Sequence, residues 1–244
     1  MKYLIAPLFA FLFTACGSYN YHASIWERTK EASYNAITDP TTWGTALAAT
    51  VLYTTNYDHD ITNHLMDHPI SWLEDNKEEK FRSINRIEMF ATSLFIEDDT
   101  YFDKFERTAM EFIAAEIAKE SASLLKNNIQ RTNPKNSAND SIGSNHAVDH
   151  FAMSGITKRN VDRLSIPTWS KYALNTISYA SASLSALSRV QEGGHSFADQ
   201  LVNASIGNFL GIFLNDLMVK DPRKSIISTG ISKDGAIVRV GWRY

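Results

Sequence analysis

Three residues in the C-terminal half of the chain have types and a spacing that could do chemistry. His195 follows Arg189 by six residues and precedes Asp199 by four, and the pair Gly193-Gly194 stands just before the histidine. If the chain turns helical directly after the glycines, His195 and Asp199 lie on one helix face. The carboxylate would then hold one imidazole nitrogen and leave the other pointing outward as a nucleophile or base. Arg189, across the glycine turn, could clamp a phosphate oxygen.

Residues 188–199 resemble the third signature of the type 2 phosphatidic acid phosphatase superfamily, which includes bacterial acid phosphatases and vanadium haloperoxidases. The first signature of that family, Lys, six residues and Arg-Pro, resembles Lys126 with Asn133-Pro134. The second, Pro-Ser-Gly-His, resembles residues 143–146, Gly-Ser-Asn-His. The segments stand in the family's order, and the resemblance extends over residues 124–207, about a third of the chain.

The resemblance implies a phosphatase that needs neither metal nor cofactor and works through a phosphohistidine. His195 would be the nucleophile, Asp199 would orient it, and His146 would protonate the leaving alcohol. The phosphate would be bound by Lys126, Arg189, Ser144 and Asn145, with Arg131 as a further candidate. The substrate would be a phosphorylated small molecule or a phospholipid.

Two of the three segments depart from the family pattern. Asn133 stands where the family has Arg, which removes a cation, and Arg131 is its nearest replacement. Gly143 replaces a Pro and Asn145 replaces a Gly; where the backbone needs positive φ, Asn is the best tolerated substitute. Losing one transition-state cation commonly costs about 2.7–4 kcal/mol, or roughly 10²–10³ in rate. The sequence is therefore compatible with an enzyme weakened at these two positions.

The sequence is also compatible with two other functions. A degenerate phosphate site could bind a phosphorylated ligand or partner without turnover, and the departures at Asn133 and Asn145 favour this alternative. A haloperoxidase is a more distant alternative, because a site that holds vanadate would be expected to keep the missing Arg. The presence of all the other catalytic residue types favours the phosphatase.

The N-terminus resembles a bacterial lipoprotein signal. After Met1-Lys2 an apolar run of about 13 residues ends in small residues before the lone Cys16, and such a run is too short to span a bilayer. We expect residues 1–15 to be a signal peptide and Cys16 to be lipidated, although plain secretion or a retained anchor are alternatives. Residues 16–244 would form one phosphatase-like domain on the periplasmic side of the cell envelope, lipid-anchored to the outer membrane.

Charge and cysteine content limit the partners. The net charge of −3 argues against nucleic acid as a partner, and a single cysteine excludes an internal disulfide. Residues 57–69 contain three His and three Asp, but without a matching ligand pair elsewhere they indicate a polar, solvated helix start rather than a metal site. No apolar run after residue 15 reaches 18 residues, which favours the soluble branch of the superfamily.

The predicted fold is an all-α bundle with a small C-terminal β-hairpin and the catalytic residues at the ends of central helices. Apolar periodicity predicts helices over residues 24–37, 43–54, 79–96, 101–126, 168–187 and 196–219, a short helix after His146 and a long loop over 127–145. Gly207 and Gly211 should allow a close helix approach. Asp234-Gly235 between β-branched runs predicts the hairpin. His150 is expected on a helix surface.

Two apolar stripes are predicted to face the core. On residues 79–96 the stripe is Ile84, Ile87, Phe90, Ala91 and Leu94. On residues 101–126 it is Phe105, Ala109, Phe112, Ile113, Ile117 and Leu124.

Overall fold

A computed structural model describes residues 25–73, 77–98, 100–129, 131–135 and 142–219, together with the backbone of 226–232 and 235–241. This part of the chain forms eight α-helices: α1 (Ile25–Thr38), α2 (Pro40–Thr55), α3 (Tyr57–Asp67), α4 (Lys77–Phe95), α5 (Tyr101–Asn128), α6 (Asn145–Arg163), α7 (Thr168–Gln191) and α8 (Phe197–Met218). A 3₁₀ turn lies at Ser71–Leu73. Strands β1 (Ile226–Ser232) and β2 (Gly235–Gly241) pair antiparallel with Ser232 opposite Gly235, in agreement with the predicted hairpin.

Helix α6 is the centre of the bundle, and every residue from 147 to 157 is buried. Helix α5 runs antiparallel to it, because Ser123 bonds Asn145 near one end and Asn160 bonds Glu111 near the other. Each of α4, α7 and α8 also contacts α6 at two points along its length. The order of these contacts shows that α7 runs antiparallel to α6, whereas α4 and α8 run parallel to it. The starts of α6 and α8 and the ends of α5 and α7 therefore lie at one end of the bundle, called here the site end. The opposite end is the far end.

Glycines let α8 approach α6 closely, as the sequence predicted. A Cβ atom on Gly211 would lie 2.3 Å from the carbonyl oxygen of Ala152, and one on Gly207 would lie 2.6 Å from that of Val148. Backbones that approach this closely leave no room for a side chain between them. Helix α8 is long and apolar enough to cross a membrane by length and composition, but it packs against α6 and α2 inside the bundle.

The inner faces of α4 and α5 are polar, so both predicted core stripes are wrong in part. On α4, Ile84, Ile87, Phe90 and Leu94 are 41–66% exposed, whereas Asn85 is fully buried. Asn85 donates hydrogen bonds to the Ser154 hydroxyl and the Ser178 carbonyl. Partners on α6 and α7 thus make a polar residue suitable for the interior.

Helix α5 shows the same inversion. Phe105 and Leu124, both expected in the core, are 72% and 55% exposed. Arg107 is buried instead, where it forms ion pairs with Asp98 at 2.5 Å and with Glu111 at 3.2 Å. The buried charge is compensated by opposite charges and hydrogen bonds, which is the condition under which buried ions are tolerated.

Three further expectations are corrected. The helix after His146 is not short, since α6 is 19 residues long. His150 is not on a surface but fully buried, with its Nε2 atom 3.4 Å from the Ser185 hydroxyl on α7. The start of α3 is not simply solvated, because Asp58 and Thr62 are both buried.

Candidate active site

The loop before α6 is shaped by Gly143. Its φ of +84° lies in the left-handed region, and a Cβ atom there would lie 2.6 Å from the backbone nitrogen of Lys126. Its N–H donates to the Asn203 side chain at 2.9 Å. Proline fixes φ near −65° and has no N–H, so the family's proline could adopt neither this φ nor this hydrogen bond. The loop therefore ties the second segment to both α5 and α8.

Asn145 does not take the positive φ that its replacement of glycine suggested. It is the first residue of α6, capped by Ser144, whose hydroxyl accepts the N–H of Ala147 at 3.4 Å. The Asn145 amide donates to the Ser123 hydroxyl at 3.0 Å, and its carbonyl oxygen lies 3.2 Å from the same hydroxyl. These bonds hold the first turn of α6, which carries His146, against the last turns of α5.

The third segment does not turn helical directly after its glycine pair. Helix α8 begins at Phe197 with Ser196 as its N-cap, so His195 precedes the helix and does not share a helix face with Asp199. Both side chains are buried all the same, His195 at 5% exposure and Asp199 at 0%.

Helix α3 supplies caps to the start of α8, a role that the sequence did not reveal. The N–H of Phe197 donates to the Thr62 hydroxyl at 3.0 Å, and that of Ala198 donates to the Asp58 carboxylate at 2.7 Å. The N–H of Asp199 donates to the Ser196 hydroxyl at 3.2 Å. Side chains of the protein thus satisfy the first donors of α8, and the position of the helix start beside α3 is well defined.

Asp199 is held by two groups from outside the third segment. Its Oδ1 atom accepts a hydrogen bond from the Tyr53 hydroxyl at 2.5 Å and lies 3.2 Å from a guanidinium nitrogen of Arg131. Arg131 also donates to Asp58 at 2.9 Å, and its guanidinium lies over the Tyr53 ring, 4.3 Å from the centroid. Tyr53, Asp58 and Arg131 are called here the Asp199 clamp.

The hydroxyl of Tyr53 stays protonated over the physiological range. Burial raises the pKa of Tyr53 because it disfavours the phenolate, and the hydrogen bond to Asp199 raises it further. Tyr53 therefore acts as a permanent hydrogen-bond donor to Asp199.

Arg189 lies across the glycine turn, as the sequence predicted. It is in the last turn of α7, and its Nη2 atom lies 3.2 Å from the position of a Cβ atom on Gly194. Its Nη1 atom bonds Glu192 at 2.5 Å. Gly193 has a φ of +74°, and its carbonyl accepts the N–H of Lys135 at 3.3 Å. The end of the first segment therefore packs against the glycine turn of the third.

The fold thus brings the three segments together at the site end. The backbone at Gly143 in the second segment lies close against that of Lys126 in the first, and Arg131 of the first segment forms an ion pair with Asp199 of the third. Lys126, His146 and Arg189 are half-buried, whereas His195 is buried. Asn133, in the place of the family's Arg, is also buried. Cys16 and residues 1–15 lie outside the described residues.

No described group of three or more His, Cys, Asp or Glu side chains is arranged to hold a metal ion. In the His-rich segment, the rings of His64 and His68 stack with centroids 4.7 Å apart. The site end brings together the cationic side chains of Lys126, Arg131 and Arg189 with a buried imidazole, His195, and a half-buried one, His146.

The helical bundle has the fold of the type 2 phosphatidic acid phosphatases. It resembles the crystal structure of a transmembrane PAP2-type phosphatidylglycerolphosphate phosphatase from Bacillus subtilis, with a TM-score of 0.51 and 18% identity. The match covers 71% of this chain and 92% of that one, and at this identity the likeness shows the fold. No protein-family model matches the chain, and no curated protein matches it by sequence.

Proposed function

We propose that the protein is a metal-independent phosphatase that hydrolyses phosphate monoesters or lipid phosphates through a phosphohistidine. The observation that carries the proposal is the convergence of three sequence segments, distant along the chain, at one end of a fold that PAP2-type enzymes share. If the likeness of the three segments were due to chance, they would not be expected to lie together in the fold. Instead, the Gly143 loop lies against Lys126, and Arg131 pairs with Asp199.

The reaction would proceed in two balanced steps. One imidazole nitrogen of His195 attacks phosphorus, the ester P–O bond breaks, and His146 gives its proton to the leaving oxygen. Water then attacks the phosphohistidine, its proton passes to His146, and the P–N bond breaks to release inorganic phosphate. Lys126, Arg189 and Ser144 would hold the non-bridging oxygens while charge develops on them.

Arg131 is better suited to a role on Asp199 than to replacing the family's arginine. Its guanidinium faces two carboxylates, Asp58 and Asp199, which already neutralise its charge. Phosphate binding would then depend mainly on Lys126 and Arg189. Asn145 would contribute indirectly, because its hydrogen bonds to Ser123 fix the position of the first turn of α6. With Asn133 in the place of Arg, we expect a slow enzyme.

The location proposed is the cell envelope, on the periplasmic side, with lipidation at Cys16 anchoring the chain to the outer membrane. This proposal depends on the N-terminal sequence pattern. The alternative function is a non-catalytic phosphate site that binds a phosphorylated ligand or partner, which Asn133 favours.

The deciding experiment compares phosphate release by the full chain and by His195→Ala, with EDTA present, on a soluble monoester and on phosphatidic acid. We expect EDTA-resistant release that His195→Ala lowers at least 10³-fold. His64→Ala, on the surface of α3, is the matched control and should keep wild-type activity. Absence of release by the folded protein between pH 5 and 8 would favour the binding protein, which isothermal titration with inorganic phosphate would then test.

A further inference from the structure

The far end of the bundle carries a concentration of exposed aromatic side chains. Six of them, each at least 70% exposed, are Phe95, Tyr101, Phe102, Phe105, Trp169 and Tyr172. Single exposed apolar residues are ordinary on soluble proteins, but a group of them gathered at one end of a bundle indicates an interaction surface. These six residues are called here the aromatic end.

The six residues belong to neighbouring helix ends. The Lys104 side chain bonds the carbonyl of Leu94, so the start of α5 lies beside the end of α4. Helix α7 runs antiparallel to α4, since Ser181 bonds the carbonyl of Phe81 while Asn85, further along α4, bonds that of Ser178. The start of α7, with Trp169 and Tyr172, therefore lies beside the end of α4.

The N-terminal part of the chain enters the bundle at this same end. Helix α1 begins with Ile25 and Trp26, which are 54% and 64% exposed, and Arg28 donates to the carbonyl of Leu217 at the end of α8. Cys16, the proposed lipidation site, precedes the start of α1 by only nine residues. A membrane that holds a lipid on Cys16 would therefore lie next to the aromatic end.

The composition of the aromatic end fits a lipid surface. Trp and Tyr prefer the boundary between headgroups and acyl chains, where the ring is buried and its polar atom stays hydrated. Exposed charges limit the depth of insertion: Arg86 and Glu116 pair at 3.6 Å halfway along α4 and α5, and about half of each side chain is exposed. The end carries both Glu97 and Lys104, so apolar contact rather than attraction to anionic lipid would hold it.

We propose that the aromatic end inserts into the headgroup layer of a lipid bilayer, with the site end directed away from that bilayer. Tyr101 and Lys126 lie 25 residues apart on α5, and at about 1.5 Å per residue the two ends are separated by about 38 Å. A phosphate on a lipid of the same bilayer cannot cover that distance while its chains stay inserted. Resting on the proposed function, the substrate is then a phosphate ester in the aqueous phase.

The test uses tryptophan fluorescence of the full chain on phosphatidylcholine vesicles with brominated acyl chains, which quench only tryptophans at the bilayer. The emission of Trp169 is obtained as the difference between the wild type and Trp169→Phe. That of Trp72, which follows α3 at the site end, is obtained from Trp72→Phe as the control. We expect bromolipid to quench Trp169 at least threefold more than Trp72, with little change in high salt. Equal quenching of the two, or no quenching, overturns the proposal.

A second comparison separates insertion from a simple N-terminal tether. Phe102→Ser combined with Phe105→Ser should lower the quenching of Trp169 at least twofold, whereas Ile84→Ser combined with Ile87→Ser, on the flank of α4, should not. Unchanged quenching in the first variant overturns the proposal.

These readouts need no turnover, so they stand even if the proposed phosphatase activity fails. If the activity is present, release from a soluble monoester should exceed release from phosphatidic acid in the same vesicles, and the reverse would contradict the orientation.

Discussion

Asp199 shares one buried environment with a phenol, a guanidinium and a second carboxylate. Tyr53 and Arg131 both contact its Oδ1 atom, and Asp58 contacts the other side of Arg131 while capping α8. A carboxylate that is surrounded in this way is held in one orientation. On the proposed mechanism, that orientation is what makes Asp199 a suitable partner for His195, and the clamp residues are positioning residues.

Removal of the Tyr53 hydroxyl tests this role. Tyr53→Phe keeps the ring under Arg131 but removes the hydrogen bond to Asp199. Hydrogen bonds to charged groups contribute about 1.5–3 kcal/mol, so we expect kcat to fall about 10- to 100-fold. KM should change little, because Tyr53 does not contact the phosphate. Steady-state kinetics measure both constants, with Tyr57→Phe, an exposed tyrosine nearby, as the control. A rise in KM without a loss of kcat would contradict a positioning role.

At the scale of the helices, small residues determine how closely the three segments approach one another. Helix α8 lies against α6 through Gly207 and Gly211, and this contact sets the distance between the helix start near His195 and the one that carries His146. The loop glycines act similarly, since Gly143 contacts the last turn of α5. Larger side chains at these points would separate the helices that carry the proposed nucleophile and acid.

Two glycine substitutions should have opposite effects on stability. Gly211→Ala places a Cβ atom 2.3 Å from the Ala152 carbonyl, and overpacking of this kind typically costs about 1–3 kcal/mol. Gly44→Ala, in α2, meets no atom within 4 Å and should stabilise the fold by about 0.5–1 kcal/mol. Urea denaturation followed by circular dichroism measures both free energies of unfolding. A neutral Gly211→Ala would show that the α6–α8 contact is looser than described.

At the scale of the whole molecule, the bundle is partly inverted, with hydrogen-bonded polar residues inside and aromatic residues outside. Asn85, Asn208 and Glu111 are buried on different helices, and each is bonded to a neighbouring helix. Such networks define one arrangement of the helices, because a shifted helix would leave polar groups without partners. The same arrangement makes stability depend on the protonation of buried carboxyl groups.

Glu88 provides a test of that dependence. Burial raises its pKa from 4.5 to about 7, opposed by an interaction with the Ser178 hydroxyl. Because the folded-state pKa is the higher one, the contribution of Glu88 to stability is present below pH 4.5 and is lost as pH rises through 7. Glu88→Gln should equal the wild type near pH 4.5 and exceed it at pH 8 by about 1–2 kcal/mol, less than the full shift because the residue as a whole is only half-buried. Denaturation midpoints at both pH values measure this, with Glu120→Gln as the exposed control. A variant that is no more stable than the wild type at pH 8 would contradict the assignment.

The sequence by itself determined most of the helix positions and the order of the three segments along the chain. The starts of α5 and α7 are as predicted, and the ends of α1 and α8 differ from prediction by one residue, because helical periodicity and capping are local properties. Likewise, Arg189 lies across the glycine turn because both belong to one short stretch. Signature spacing placed Lys126, His146 and His195 in order, and the fold brought their segments together.

Only the tertiary structure decided which helix faces point inward and what surrounds Asp199. Periodicity shows that Ile84 and Ile87 share a face, but it does not show whether that face meets other helices or the exterior. Asn85 is buried because α6 and α7 provide partners, and no local pattern reveals partners about 70 and 90 residues away. Tyr53 and Asp58 reach the site for the same reason: their partners in the third segment are about 140 residues distant, and only the packed bundle brings them into contact.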